Sequence, residues 1–409
     1  MKIAFNAIRV SNKAGSGFDT FIINFINEFA KYVYSKPELN IEFDVYTLYP
    51  KHFIDVKKEN IKRVWKFKVD HSRLKSSNIL FKDKYNSEDK EIKFFQTINS
   101  KLLHIKLRLK TFFGDYFRMF WTQFIFPFYS CRYDYVISLT EYEAMLLCLT
   151  KQIIILHSIV PFLFPQFKDN KYKLYTYLFL PKILNSAYRI VSVSETIKKE
   201  INELFKISKD KVFVIYEGVD TKKFYHLDNN EKTILKKFYG IEGDFILAIG
   251  HSHPIKNLSG VIKAYEILKQ KYKIKLIVVG YFNTKIVFPK DVIYLGHIPN
   301  ENLYILYTTA KCFVFPTLHE GFGLPPLEAM ACGCPVVVSN RGSLPEVCGD
   351  AAVYVDPYNP QDIANGILKV LTDENLRQQL IKKGFEQVKK FTWRRSVELF
   401  VDLVLKNAT

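Results

Sequence analysis

Residues 312–340 read CFVFPTLHEGFGLPPLEAMACGCPVVVSN. Two short β-branched or aromatic runs, CFVFPT and PVVVSN, flank one helical segment, which is the pattern of βα units on a parallel sheet. Pro325 and Pro326 fix φ near the helical value and have no N–H to lose, so the helix is predicted to begin there, with Gly333 as its stop. Its entry leaves the amides of Phe322, Gly323 and Leu324 without intrahelical partners, and the helix dipole adds positive character at the same place. A phosphate suits that end. Glu320 before the turn and Glu328 inside the helix would repel phosphate, so they are expected to accept hydrogen bonds from neutral hydroxyls. Hydroxyls at both ends with phosphate between them describe a nucleotide diphosphate sugar. An E-x7-E spacing by itself is more often an ordinary helix with two solvated glutamates, so the flanks have to decide.

Working outward, the same alternation fills the chain. The first half offers KIAFNA, FDVYTLY, YDYVISL, QIIILH, RIVSVS and KVFVIYEG as strands, with helices over Asp19–Val33, after the loop AGSG, and over Glu195–Phe205. The second half restarts with FILAIG, a helix from Asn257 to about Lys271, then KLIVVG, VIYLG, CFVFPT, PVVVSN and AVYVDP. Between them GVDTKKFYHLDNNEKT is polar and turn-rich, which places a linker around Gly218 to Thr233. At 409 residues the chain is too long for one compact core and suits two α/β domains. Ligands of such sheets bind beyond the carboxyl ends of the strands, which is where the opening motif falls.

Apolar content of 48% excludes a disordered chain. No window reaches the ~18 uncharged apolar residues of a membrane span, and MKIAFNAIRVSNK lacks a signal-peptide core, so a cytoplasmic protein is expected. The six cysteines have no framework spacing and fit buried or free thiols. A net charge of +18 invites nucleic acid, but no nucleic-acid motif is present, and Lys-rich composition throughout the chain accounts for the excess. One stretch is locally distinctive: residues 101–128 mix Lys and Arg with Phe, Trp and Leu at roughly helical spacing. Two readings stay open for it, peripheral contact with an anionic membrane or core-facing helices with a basic outer face.

The run from Cys312 to Ile367 resembles the nucleotide-binding half of retaining glycosyltransferases of family 4, which have the GT-B fold of two Rossmann-like domains whose parallel sheets face across a cleft. ILHSIVPFLFP, SVSETIKKEI, VIYEGVDTKKF and AIGHSHPIKN occur in the family's order, with WTQFIFP a weaker match. The resemblance implies an acceptor-binding domain over 1–225, a nucleotide-sugar domain over 226–391 and a C-terminal helix, 392–409, that crosses back. It also implies roles. Glu320 would contact donor-sugar hydroxyls, the loop Gly321, Phe322, Gly323 and Leu324 would hold sugar and phosphate, and Glu328 would take the ribose. Lys256 would neutralise the diphosphate, His157 would lie near the sugar's reacting face, and Gly17 would let the first βα loop approach phosphate or acceptor.

Relatives often pair the diphosphate lysine with an arginine where this chain has His251 or Ile255. Either His251 is protonated beside the diphosphate, or Arg341 or Arg9 takes the place, or activity is reduced. His251 and His253 without a third ligand make no metal site, and the GT-B design requires none. The implied reaction moves a hexose with retention, mannose from GDP-mannose as first choice. The implied acceptor is a growing surface glycan such as a lipopolysaccharide O-antigen or a lipid-linked oligosaccharide. A GT-B nucleotide-sugar epimerase and a weakly active nucleotide- or glycan-binding relative are the rivals.

Overall fold

The computed structural model describes residues 1–11, 17–64, 117–167, 173–228, 230–232, 243–251, 253–282, 288–299 and 302–406. Two sheets account for the strands. The first holds β1 (Lys2–Asn6), β2 (Glu42–Thr47), β3 (Ile61–Arg63), β4 (Tyr135–Ser138), β5 (Lys151–Leu156), β6 (Arg189–Ser192) and β7 (Val212–Val214) in the order β3-β2-β1-β4-β5-β6-β7. The second holds β8 (Phe245–His251), β9 (Lys275–Tyr281), β10 (Val292–Tyr294), β11 (Cys312–Phe315), β12 (Val336–Ser339) and β13 (Ala352–Val355) in the order β10-β9-β8-β11-β12-β13. All pairings are parallel, with Phe5 between Val45 and Ile137 in one sheet and Ala248 between Val278 and Val314 in the other. Central strands such as β4 and β11 are buried along their whole length, which is why they read as continuous apolar runs. The three-residue edge strand β3, with its charged Lys62 and Arg63, is too short and polar to announce itself in the sequence.

Each sheet reverses its winding at one place, between β1 and β4 in the first and between β8 and β11 in the second. Loops leaving the carboxyl ends of those strand pairs frame the crevices in which doubly wound sheets bind ligands. Six helices matter below: α1 (Gly17–Tyr34), α2 (Glu195–Phe205), α3 (Leu258–Leu268), α4 (Leu324–Ala331), α5 (Leu344–Cys348) and α6 (Trp393–Leu405).

The chain crosses between its halves twice, and the two crossings run side by side. A Cβ built on Gly218 would lie 2.2 Å from the backbone nitrogen of Trp393, so only glycine lets the segments touch there. Val219 N donates to Phe391 O at 3.1 Å, and Ser396 Oγ donates to Tyr216 O at 2.6 Å. Helix α6 then lies on α1 of the first half, where Phe400 packs edge-on against Phe25 and Phe29 and the Arg394 guanidinium covers the Tyr32 ring.

Of the basic-aromatic stretch, residues 101–116 lie outside the described residues, while 117–128 are helical. Trp121 and Phe126 are buried against Tyr46 beneath the first sheet, and Phe120, Phe124 and Phe128, one helical turn apart, are each more than half exposed. This part is therefore amphipathic, with an aromatic outer stripe rather than a basic one.

Candidate active site

β8 and β11 are neighbours, so the loops that follow them leave the second sheet together, tied by Leu318 N donating to Ile255 O at 2.8 Å. The first loop ends in a short 3-10 turn, Pro254–Lys256, and the second carries Glu320. Lys256 Nζ meets Glu320 Oε1 at 2.6 Å and lies 5.1 Å from the centre of the Phe315 ring. The two charged groups that the family resemblance would give to diphosphate and sugar thus hold each other. A molecule carrying both phosphate and hydroxyl groups could exchange one partner of each for its own.

Gly323 adopts φ 108° at the N-cap of α4, which begins at Leu324, one residue ahead of the prolines, and Gly333 adopts φ 71° after its end. Ser343 supports the loop from behind, its amide donating to Glu320 O at 3.2 Å and its hydroxyl to Phe322 O at 2.6 Å. The carbonyls are taken in this way, and the amides of Phe322, Gly323 and Leu324 make no hydrogen bond to the described residues. They are the open donors that an anion at this helix entry would need. Gly321 has a different reason to be glycine: its Cβ would sit 1.8 Å from the His157 carbonyl oxygen of the first half.

Glu328 lies one turn into α4, half-buried, and accepts from the Tyr307 hydroxyl at 3.1 Å. Desolvation pushes its carboxyl up to about 7, with the Tyr307 bond opposing. The raised value means that the folded protein binds a proton here between roughly pH 4.5 and 7 that the unfolded chain releases, so this group's contribution to stability falls as pH rises through that window. Hydrogen-bond acceptance by the carboxylate moves the opposite way. If Glu328 accepts the ribose hydroxyls of a nucleotide, affinity probed with GDP is expected to rise about tenfold from pH 6 to pH 8 as the carboxyl ionises, and Glu328→Gln is expected to flatten that rise while raising the melting temperature at pH 8. Calorimetric titration of GDP at the two pH values checks it, and a slope retained in the variant assigns the ribose to another group.

His157 follows β5 directly, buried. Its Nδ1 meets Glu217 Oε1 at 2.8 Å and its Nε2 meets Leu139 O at 2.9 Å, while the Phe21 ring packs edge-on at 4.4 Å. Burial pulls the imidazole pKa down, but the hydrogen bond and charge of Glu217, with Glu141 behind, outweigh it and leave the ring raised above its ordinary value. Both ring nitrogens are consequently engaged inside the first half, and what His157 presents to the donor loop is its backbone carbonyl. Glu217, from VIYEGVD, carried no role in the sequence. Its only signal there was an acid inside an otherwise apolar run.

The two arginine candidates separate. Arg9 is held in the first half, its guanidinium between the Phe18 and Tyr142 rings at 4.5 and 4.6 Å and its amide donating to Glu143 Oε1 at 2.6 Å. Burial pushes Glu143 up to about 7. Arg341 is exposed and directly precedes Gly342, whose Cβ would lie 2.7 Å from the Glu320 backbone, so Arg341 is the candidate on the donor side. His251 closes β8 opposite Tyr281, and its side chain lies outside the described residues. Gly17 is the first residue of α1, and a Cβ there would meet nothing within 4 Å, so the space beside it is open; residues 12–16 of the loop are outside the described set. Among the described residues no three His, Cys, Asp or Glu side chains are grouped to hold a metal ion, and no helix is long and apolar enough to cross a membrane.

Two family descriptions match the chain, glycosyl transferases group 1 over residues 231–387 and glycosyltransferase family 4 over residues 129–223. The O-antigen chain mannosyltransferase B of Escherichia coli is 34% identical over 253 residues, which are 58% of this chain and 65% of that protein. The serotype-specific mannosyltransferase WbdA of Escherichia coli is 33% identical over 232 residues, 53% of this chain and 28% of that protein. The matches thus span less than two thirds of these relatives' length. The structure of the sucrose-phosphate synthase from Thermosynechococcus elongatus aligns over 100% of both chains with a TM-score of 0.67 at 17% identity, and likeness of this kind establishes the GT-B fold.

Proposed function

Since the chain belongs to the group 1 glycosyltransferases of family 4, we propose that it transfers a hexose, with retention and without a metal ion, from a nucleotide diphosphate sugar to a hydroxyl of a growing surface glycan. GDP-mannose is the donor the reading favours, and a lipopolysaccharide O-antigen or lipid-linked oligosaccharide the acceptor, in keeping with an O-antigen chain mannosyltransferase and a serotype-specific mannosyltransferase among the relatives. The observation that carries the reading is the Lys256–Glu320 pair beside three open amides at the winding reversal of the second sheet.

In this mechanism Lys256 and the amides of Phe322–Leu324 take the diphosphate, Glu320 the sugar hydroxyls and Glu328 the ribose diol. Arg341 supplies the second positive charge that relatives place beside the lysine. The bond from the anomeric carbon to phosphate oxygen breaks, and the acceptor oxygen bonds to that carbon on the same face. The acceptor's proton passes to the departing phosphate, whose growing charge Lys256 and the helix entry stabilise. Closure of the first half over the donor excludes water. The exposed stripe Phe120, Phe124 and Phe128 is the surface that would rest on an anionic membrane at the inner face, bringing the cleft to a lipid-linked acceptor.

Incubation with a panel of nucleotide sugars, with and without phosphatidylglycerol vesicles, tests the proposal. Slow release of free nucleotide from GDP-mannose, thermal protection by GDP over UDP, and co-sedimentation lost in Phe124→Asp are expected. An isomerised sugar instead of free nucleotide would make the protein an epimerase.

A further inference from the structure

Helix α2 belongs to the first half, yet its N-terminus is finished by the second. Its cap residue Ser194 accepts from Ile197 N at 3.1 Å, the usual single satisfaction of a helix entry. The two amides ahead of that one are taken by Glu346, 150 residues further on, in α5. Glu195 N donates to Glu346 Oε1 at 2.7 Å, Thr196 N to Oε2 at 3.1 Å and Thr196 Oγ1 to Oε2 at 2.9 Å. A carboxylate at a helix entry gains from both the dipole and charge-assisted hydrogen bonds.

The same end of α2 grips the donor loop. Ser194 Oγ donates to Gly321 O at 2.7 Å, and Glu200, one turn on, meets His319 Nε2 at 2.8 Å. Glu320 is therefore flanked on either side by residues that α2 holds. On the far side of the loop Ser343, three residues before Glu346, binds Glu320 O and Phe322 O. Glu346 and the donor loop form one block, and α2 docks against both.

We propose that Glu346 is a positioning residue: by clasping the entry of α2 it brings Ser194 onto Gly321 when the halves meet, so that closure of the cleft and the working shape of the Glu320 loop are one event. None of the donor-site groups named above contacts Glu346, so it acts through α2. The kinetic part of this claim rests on the transferase reading above, whereas the conformational part does not.

The test uses the full chain with Glu346→Gln, which keeps the side chain's size but removes the charge. Hydrogen exchange at Ser194–Ile197 and the radius of gyration from solution scattering are measured without any substrate, followed by steady-state kinetics with GDP-mannose. Faster exchange at Glu195 and Thr196, a larger radius, and kcat lowered about tenfold with donor KM within about twofold are expected, the scale of a lost charge-assisted contact made only in the closed form. Unchanged exchange and radius overturn the proposal, as does a changed radius with unchanged kcat, which a merely structural contact would give. Wild-type protein without transferase activity but with the conformational response sinks the reaction assignment and keeps the clasp. Should Glu346→Gln fail to fold, Thr196→Val removes one of the three bonds and is expected to move exchange and radius in the same direction by less; no movement overturns the proposal.

Discussion

Replacement of Lys256 by alanine is expected to lower kcat/KM for the nucleotide sugar by about 10²–10³-fold, the effect of removing one preorganised group from a developing anion. The side chain is partly exposed and sits 2.6 Å from Glu320, so the free protein loses one ion pair and little packing. The donor complex loses more. On the proposed placement of the donor, the Glu320 carboxylate would stand beside the diphosphate uncompensated without the ammonium, and repulsion would replace the exchange of partners. Lys256→Arg is expected to recover only part of the loss, because a planar fork does not replace a compact charge held between a carboxylate and the Phe315 ring. Release of GDP from GDP-mannose, followed with the melting temperature, decides the matter. A loss below tenfold at unchanged stability would mean that the diphosphate lies elsewhere.

The second large effect is expected at Gly321. Alanine there places a methyl carbon 1.8 Å from the His157 carbonyl oxygen, far inside van der Waals contact and against backbone rather than a movable side chain. Either the halves separate or the loop shifts, and the Ser194 contact to Gly321 O goes with it. A displacement of about an ångström at reacting groups costs on the order of 10²-fold, so kcat is expected to fall by about that factor while each sheet stays folded. Near-normal turnover by Gly321→Ala would show that the working complex does not bring the two backbones together.

Both effects concern residues that the sequence singled out, but for reasons it held only in part. The strand runs, the glycine and proline punctuation and the alternation of periods are properties of neighbouring residues, so twelve of the thirteen strands among the described residues were legible as runs, and the edge strand β3, three residues and two of them charged, was not. The same local chemistry marked the entry of α4 as an anion site and its two acids as hydroxyl acceptors, because charge and unpaired amides follow from order along the chain alone.

Tertiary structure decided whom those groups meet. The pairing of Lys256 with Glu320 spans 64 residues, that of His157 with Glu217 spans 60, and the grip of Glu346 on Thr196 spans 150. None has a periodic trace, since the first two depend on the order of strands within one sheet and the third on where the two halves bring their loop ends together. The sequence by itself determined two parallel sheets and one helix entry with unpaired amides. The folding of the first sheet determined that the histidine ring is spent on an internal acid, and the approach of the halves determined that Gly321 is glycine because a carbonyl occupies the place of its side chain and that a distant glutamate finishes another domain's helix.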